Sequence, residues 1–417
     1  MINKNFRIAK ELNEIKILNI LLNEGPVSRS ELAKRTNITK VTIAEILKRL
    51  GNEGFIDEAG KGESTVKGGK KPNLVKLNPN KGYVIGVEYK RNFARVAIAN
   101  IQSEILKKEQ FEYEIGTSLN EVIKKTFDCI DSCLIKLKIP ESKLISIALG
   151  VPGFIDYENG ELIYADTMKG WERKPLAAKV SQRYKVPVIM ENDVNLIAIG
   201  EDLVGAGKNA RDIVCIWIGD GVGAGIIIGN QLIRGASGIA GEIGYLEVNN
   251  SLTNYTYLKH LYTNQRYVGD ILSQEHLFNV LKIALEFQTH KLEKPIDKYH
   301  LAELLELGDH GHSVVQEILD EYSFVLANVC TELIKTINTN LIILSGPIIE
   351  NSQYLFIKIQ QFVKNKMREI PFDTSSIVLG GLKGDDACIM GAISLALQVI
   401  YKPYIIHKQL DHVHIKE

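Results

Sequence analysis

Asn192 and Asp193 stand side by side after the apolar run VPVIM, in a chain of 417 residues. An amide and a carboxylate at the end of a buried strand lie where α/β folds present groups to a ligand. They suit a polyhydroxyl compound, because every hydroxyl both donates and accepts and needs partners of both kinds. Their structural alternative is a helix cap or an ion pair. Further on, Gly219, Gly221, Gly223 and Gly225 alternate in IGDGVGAGII. Such a stretch can cradle phosphate on backbone N–H groups, or it can be a tight hairpin whose glycines allow close packing. A third group, Ser28, Arg29, Thr39, Lys40, Thr42, Glu45 and Lys48, falls inside SRSELAKRTNITKVTIAEILKRL. It combines the cations, hydroxyls and carboxylate that meet the phosphates and base edges of DNA. The five cysteines, Cys129, Cys133, Cys215, Cys330 and Cys388, show neither paired metal-ligand spacing nor a disulfide framework, so a reduced chain is expected.

These residues need elements to hold them, and the first 82 residues supply three helices and a hairpin. Leu12, Ile15, Leu18 and Leu22 recur at three- and four-residue steps and predict a helix with one apolar face, ended by Gly25-Pro26. Ser28 with Glu31 reads as a capping box. A short second helix therefore starts near Arg29, turns Leu32 and Ala33 inward and stops near Asn37. Thr39 caps a third helix whose Ile43, Ile46, Leu47 and Leu50 face inward, leaving Lys40, Thr42, Ala44, Glu45 and Lys48 outward. Two helices on a tight turn, the second basic at its start, make a helix-turn-helix. Gly54 to Ile56 and Asn73 to Asn78 then read as strands flanking the Gly- and Lys-rich DEAGKGESTVKGGKKP, which has the shape of a wing. Charge agrees: residues 1–82 carry 16 Lys and Arg against 9 Asp and Glu, the remainder 34 against 41, in a chain with no net charge. Lys40, Thr42 and Glu45 are expected at base edges of double-stranded DNA; Ser28, Arg29, Lys48, Lys67, Lys70 and Lys71 are expected at its phosphates.

Behind this segment the sequence repeats itself. GVEYKRNFARVAIAN and WIGDGVGAGIIIGN each read as strand, tight turn, strand. ISIALGVPGFID and NLIILSGPIIEN each read as an apolar strand running into a Gly/Pro loop. Two similar α/β lobes with a cleft between them are expected. Apolar content of 45% and charged content of 24% are those of ordinary globular chains. No apolar run reaches the roughly 20 residues of a membrane span, and MINKNFRIAK does not read as a signal peptide, so a cytoplasmic chain without a membrane partner is expected.

In order, GVPGFID, GW, ENDVN, IGDGVGAGIIIGNQLIRG, GIAGEIGY and LSGP behind a winged helix resemble the ROK family of repressors and sugar kinases, over nearly the whole chain. Its xylose-repressor-like regulators are the nearest in pattern. The resemblance implies an α/β chain with an N-terminal winged helix-turn-helix at 1–80 and a two-lobed, actin/hexokinase-like (ribonuclease H-like) domain behind it. The first lobe is expected at 81–200, and the second, with dimerisation helices, at 201–417. It further implies that Asn192, Asp193, Glu242 and Tyr245 contact a monosaccharide, Asp193 matching the general base of the family's kinases.

Departures from the family pattern set the expected function. Where the kinases hold ATP on an Asp-x-Gly-Gly-Thr turn, this chain has Glu88-Tyr89-Lys90-Arg91-Asn92, without glycine. Asp220 replaces a Thr in the second turn and sets a negative charge where phosphate oxygens would lie. The family's zinc-binding cysteines are missing and Tyr245 stands in place of its His, so neither metal nor other cofactor is expected. His260, His412 and His414 form no metal motif, and Trp171 reads as core. The expected protein is a sugar-responsive repressor, a homodimer or higher oligomer, not an enzyme. It binds operator DNA and leaves it when a monosaccharide such as xylose closes the cleft. A sugar kinase with an appended DNA-binding domain, and a DNA-binding protein with a vestigial cleft, stand as alternatives.

Overall fold

The computed structural model describes residues 2–62, 71–248, 257–258, 266–286, 292, 294–368, 376–382 and 386–401, with side chains from residue 11 onward. The chain begins with α1 (Ile2–Glu24), β1 (Val27–Ser28), α2 (Arg29–Thr36), α3 (Lys40–Asn52), β2 (Ile56–Lys61) and β3 (Asn73–Leu77). The strands form one sheet in the order β1-β3-β2. Ile17, Leu18, Leu21, Leu32, Ile43, Ile46, Leu47, Leu50, Val75 and Leu77 are buried between helices and sheet. The expected face of α1 is rotated. Leu12 is 45% exposed, because it lies roughly 140° round the helix from buried Ile17 at about 100° per residue. The capping box is only half made. Ser28 Oγ accepts from Glu31 N at 3.2 Å, but the Glu31 carboxylate turns to Arg35 Nε at 2.7 Å instead of back to Ser28. Asn37 takes the left-handed turn, with φ 57°. The second strand starts at Ile56 rather than Gly54 and runs to Lys61, so the wing loop is shorter than the sequence suggests.

Two compact units follow the contacts: residues 1–191 with 392–417, and residues 192–391. The first contains a five-stranded sheet of β4 (Tyr83–Tyr89), β5 (Phe93–Asn100), β6 (Ile105–Glu112), β7 (Leu144–Val151) and, beyond a separate hairpin of β8 (Phe154–Asp156) and β9 (Glu161–Tyr164), β10 (Val188–Asn192). Its order is β10-β7-β4-β5-β6. The second unit has β11 (Ile213–Ile218), β12 (Val222–Ile228), β13 (Gln231–Leu232), β14 (Leu341–Ser345) and β15 (Ser376–Leu379), in the order β13-β12-β11-β14-β15. In both, the first strand of the sheet pairs antiparallel with the second and parallel with the fourth, so the repeat read in the sequence is a repeat of topology. Each unit has its own apolar core. The first is built on Ile85, Val87, Val96 and Ile147 with α4 (Leu119–Leu137) and α5 (Leu176–Tyr184). The second is built on Val214, Ile216, Ile342 and Leu344 with the helix Ser313–Ile337. Among the described residues no helix is long and apolar enough to cross a membrane.

Candidate functional site

The end of β10 hands the chain to α6 (Asp193–Val204), and the change of period is made by Asn192. Its side-chain oxygen accepts from the N–H groups of Val194 at 2.8 Å and Asn195 at 3.2 Å, satisfying donors that the first helical turn leaves open. Asn192 thus acts as a cap, and its oxygen is engaged there. Asp193, the first helical residue, is only 6% exposed and lies at the end where the helix dipole favours an anion. The alternating glycines explain its placement. A Cβ on Gly225 would collide with Ala198 Cβ and come within 2.8 Å of Val194 O, and one on Gly223 would press on the Val194 side chain. With glycine there, α6 lies flush on β12. The other end of α6 is held by Glu201, wholly buried, whose carboxylate accepts from the N–H groups of Ala206 (2.7 Å), Gly381 (2.9 Å) and Leu382 (3.0 Å).

Glu242 reaches the same strand from another loop. Ala224 N donates to Gly241 O at 2.8 Å, and Gly241, at φ 89°, leaves no room for a Cβ against the Ala224 carbonyl. Fixed in this way, Glu242 is half-buried and close enough to Asp193 to feel its charge. Burial first, and Asp193 second, push its carboxyl up to about 7. Tyr245, one short turn on, is 46% exposed, with its N–H donating to Glu242 O at 3.2 Å. Its ring meets Tyr267 edge to face at 5.8 Å, and Arg266 lies over Tyr267 at 5.4 Å. Tyr267 had no signal in the sequence, since nothing in its spacing ties it to Tyr245. The Glu242 carboxyl thus lies within range of the Asp193 charge, and Tyr245 follows Glu242 by one short turn. A protonatable acid next to a carboxylate can donate to and accept from one hydroxyl, the bonding pattern an alcohol group requires. Trp171 is buried in the first unit, edge-on to Tyr89 at 5.4 Å and stacked on Tyr113 at 6.4 Å.

The two turns singled out by their glycine content are both hairpins. Glu88, on β4, is wholly buried and faces Arg95 on β5, with Arg95 Nη1 donating to Glu88 Oε2 at 3.0 Å and Lys90 Nζ at 3.3 Å from Oε1. Lys90 N donates to Phe93 O at 2.9 Å, closing the hairpin, and the Tyr113 hydroxyl donates to Lys90 O. In the second turn Gly219 N donates to Gly221 O at 3.0 Å, and Asp220 is exposed at the tip.

On the winged helix, Thr39 Oγ1 accepts from Thr42 N at 3.2 Å and shares a hydrogen bond with Thr42 Oγ1 at 2.9 Å, so both hydroxyls serve the start of α3. Lys40, Glu45 and Lys48 are exposed and Thr42 is half-buried. Arg29 and Lys71 are exposed, whereas the buried Ser28 hydroxyl is engaged as the cap of α2. Lys67, Lys70, His260, His412 and His414 lie outside the described residues.

Residues 84–399 match the ROK family and residues 11–57 match a winged helix-turn-helix DNA-binding family. A xylose repressor from Caldicellulosiruptor bescii is 25% identical over 94% of this chain and 97% of its own. A ROK family transcriptional regulator, a homologue of the Escherichia coli MLC protein, shares the fold with a TM-score of 0.78 at 17% identity, over 97% of this chain and 99% of its own. A ROK glucokinase from Streptomyces griseus, solved with glucose and AMPPNP, shares it with a TM-score of 0.61 at 23% identity, over 76% of this chain and 100% of its own.

Proposed function

This chain belongs to the ROK family, and from that premise we propose that it is a sugar-responsive transcriptional repressor. Residues 1–80 hold operator DNA; a monosaccharide bound at Asp193 and Glu242, with Tyr245 against it, lowers the affinity for that DNA. The observation that carries this reading is the union, in one chain, of a winged helix-turn-helix with a ROK domain, the arrangement also spanned by the full-length match to a xylose repressor. That relative makes xylose the first sugar to test. Asn192 contributes by fixing the start of α6 and hence Asp193.

Support for a binding role without phosphoryl transfer comes from the first turn. Phosphate cradles need glycine-rich backbone with open N–H groups. Here Glu88 and Arg95 fill the turn with their own ion pair and the Lys90 N–H is used by the hairpin. Asp193 stands at the position of a kinase base, so the kinase reading has one residue in its favour and a direct test. Incubation with ATP and each monosaccharide is expected to release no ADP, while the one effector sugar raises the melting temperature in the absence of ATP. ADP released in proportion to sugar would establish the enzyme instead. Two chains are proposed to act together on DNA, presenting two copies of α3 to half-sites about one helical turn apart.

A further inference from the structure

The exposed face of α3 is not uniformly polar. At about 100° per residue, buried Ile43, Ile46, Leu47 and Leu50 mark the core side, and Val41 points roughly 170° away from their mean direction. Glu45 and Lys48 flank it, each roughly 150° from the core, whereas Lys40 and Thr42 fall nearer the sides of the helix. Val41 is 70% exposed, and Ala44, one turn on, is exposed beside it. An apolar, β-branched side chain thus occupies the middle of the face, in the first turn of the second helix of a helix-turn-helix, the part that enters the major groove. Among the described residues, Val41 is not part of the buried core of the winged helix. The polar residues around it can meet donors and acceptors on base edges, but only an apolar group meets the one apolar feature displayed there, the C5 methyl of thymine.

We infer that Val41 reads sequence by packing its methyl groups against the 5-methyl of a thymine in each operator half-site. This rests on the operator-binding role proposed above. The full-length protein is first used to select duplexes from a randomised pool, and binding to the selected duplex is then followed by fluorescence anisotropy with each thymidine replaced in turn by deoxyuridine, which lacks the methyl. At one thymidine per half-site the replacement weakens wild-type binding about fourfold, the effect of one buried methyl. Val41→Ala loses affinity for the thymidine duplex and no longer distinguishes it from the deoxyuridine duplex. Lys48→Ala, a proposed phosphate contact, loses affinity for both equally and still discriminates. If every deoxyuridine duplex binds the wild type as tightly as its parent, or if Val41→Ala keeps the full discrimination, the inference is overturned while operator binding stands. A protein that enriches no duplex overturns operator binding, and the role of Val41 with it. Because Val41 is exposed, its truncation leaves the fold intact, which a melting curve superimposable on wild type verifies.

Discussion

At the scale of single residues, ionisation of the Glu242 carboxyl is opposed by burial and by the Asp193 charge. An acid with a folded-state pKa of about 7, above its ordinary 4.5, contributes stability below about pH 4.5 and loses it as pH rises through 7. Glu242→Gln has no such loss. Its melting temperature relative to wild type is expected to climb between pH 4.5 and 7 and to level off above; a difference that stays constant across that range contradicts the coupling. Sugar binding is expected to weaken above pH 7 in the wild type, as the acid loses the proton it donates. Asp193→Asn should abolish the thermal shift produced by sugar while leaving operator affinity within about twofold, since the operator is assigned to residues 1–80. Asp193 and Glu242 could each be picked out in the sequence, but not their mutual influence, which depends on α6 and the Glu242 loop meeting at β12. The aromatic contact between Tyr245 and Tyr267 was illegible for the same reason. Asn192 carried both its ligand and its capping possibilities in the sequence, and only the positions of the Val194 and Asn195 N–H groups reveal the cap.

At the scale of elements, glycine spacing matters for packing. Gly223 and Gly225 are two apart on β12 and so lie on one face, beneath Val194 and Ala198 of α6. Gly225→Ala is expected to destabilise the chain by roughly 1–3 kcal/mol in urea unfolding through overpacking. Gly221→Ala, with nothing within 4 Å of the added Cβ, should cost far less. Equal losses at the two positions would contradict the packing assignment. Thr39→Ala removes the cap of α3 and should destabilise that helix by about 1 kcal/mol, read as faster amide exchange at its start. The strand–turn–strand repeats and the buried stripe of α3 were legible because their periods are short and their apolar residues regular. The face of α1 was not, since an evenly apolar helix offers several stripes and the partner elements choose Ile17, Leu18 and Leu21. Half of the capping box failed because Arg35, one turn away, offers the Glu31 carboxylate a charge-assisted bond.

At the scale of the whole molecule, charge is segregated along the chain: the first 82 residues hold an excess of 7 basic groups and the rest an equal acidic excess. Operator affinity should therefore fall steeply with salt, and Lys48→Ala should reduce the slope of log affinity against log salt by about 1, the signature of one phosphate contact. An unchanged slope would remove Lys48 from the phosphate set. The winged helix and the duplicated α/β units were both visible in sequence as motif order, but the coupling between sugar and DNA is a property of the complete chain. The decisive measurement of that coupling is anisotropy of the full-length protein on its selected duplex, titrated with xylose, glucose and other common monosaccharides. One sugar is expected to weaken binding about 5- to 150-fold, a coupling of roughly 1–3 kcal/mol, and Asp193→Asn to abolish the effect. Operator affinity unchanged by every sugar would contradict it.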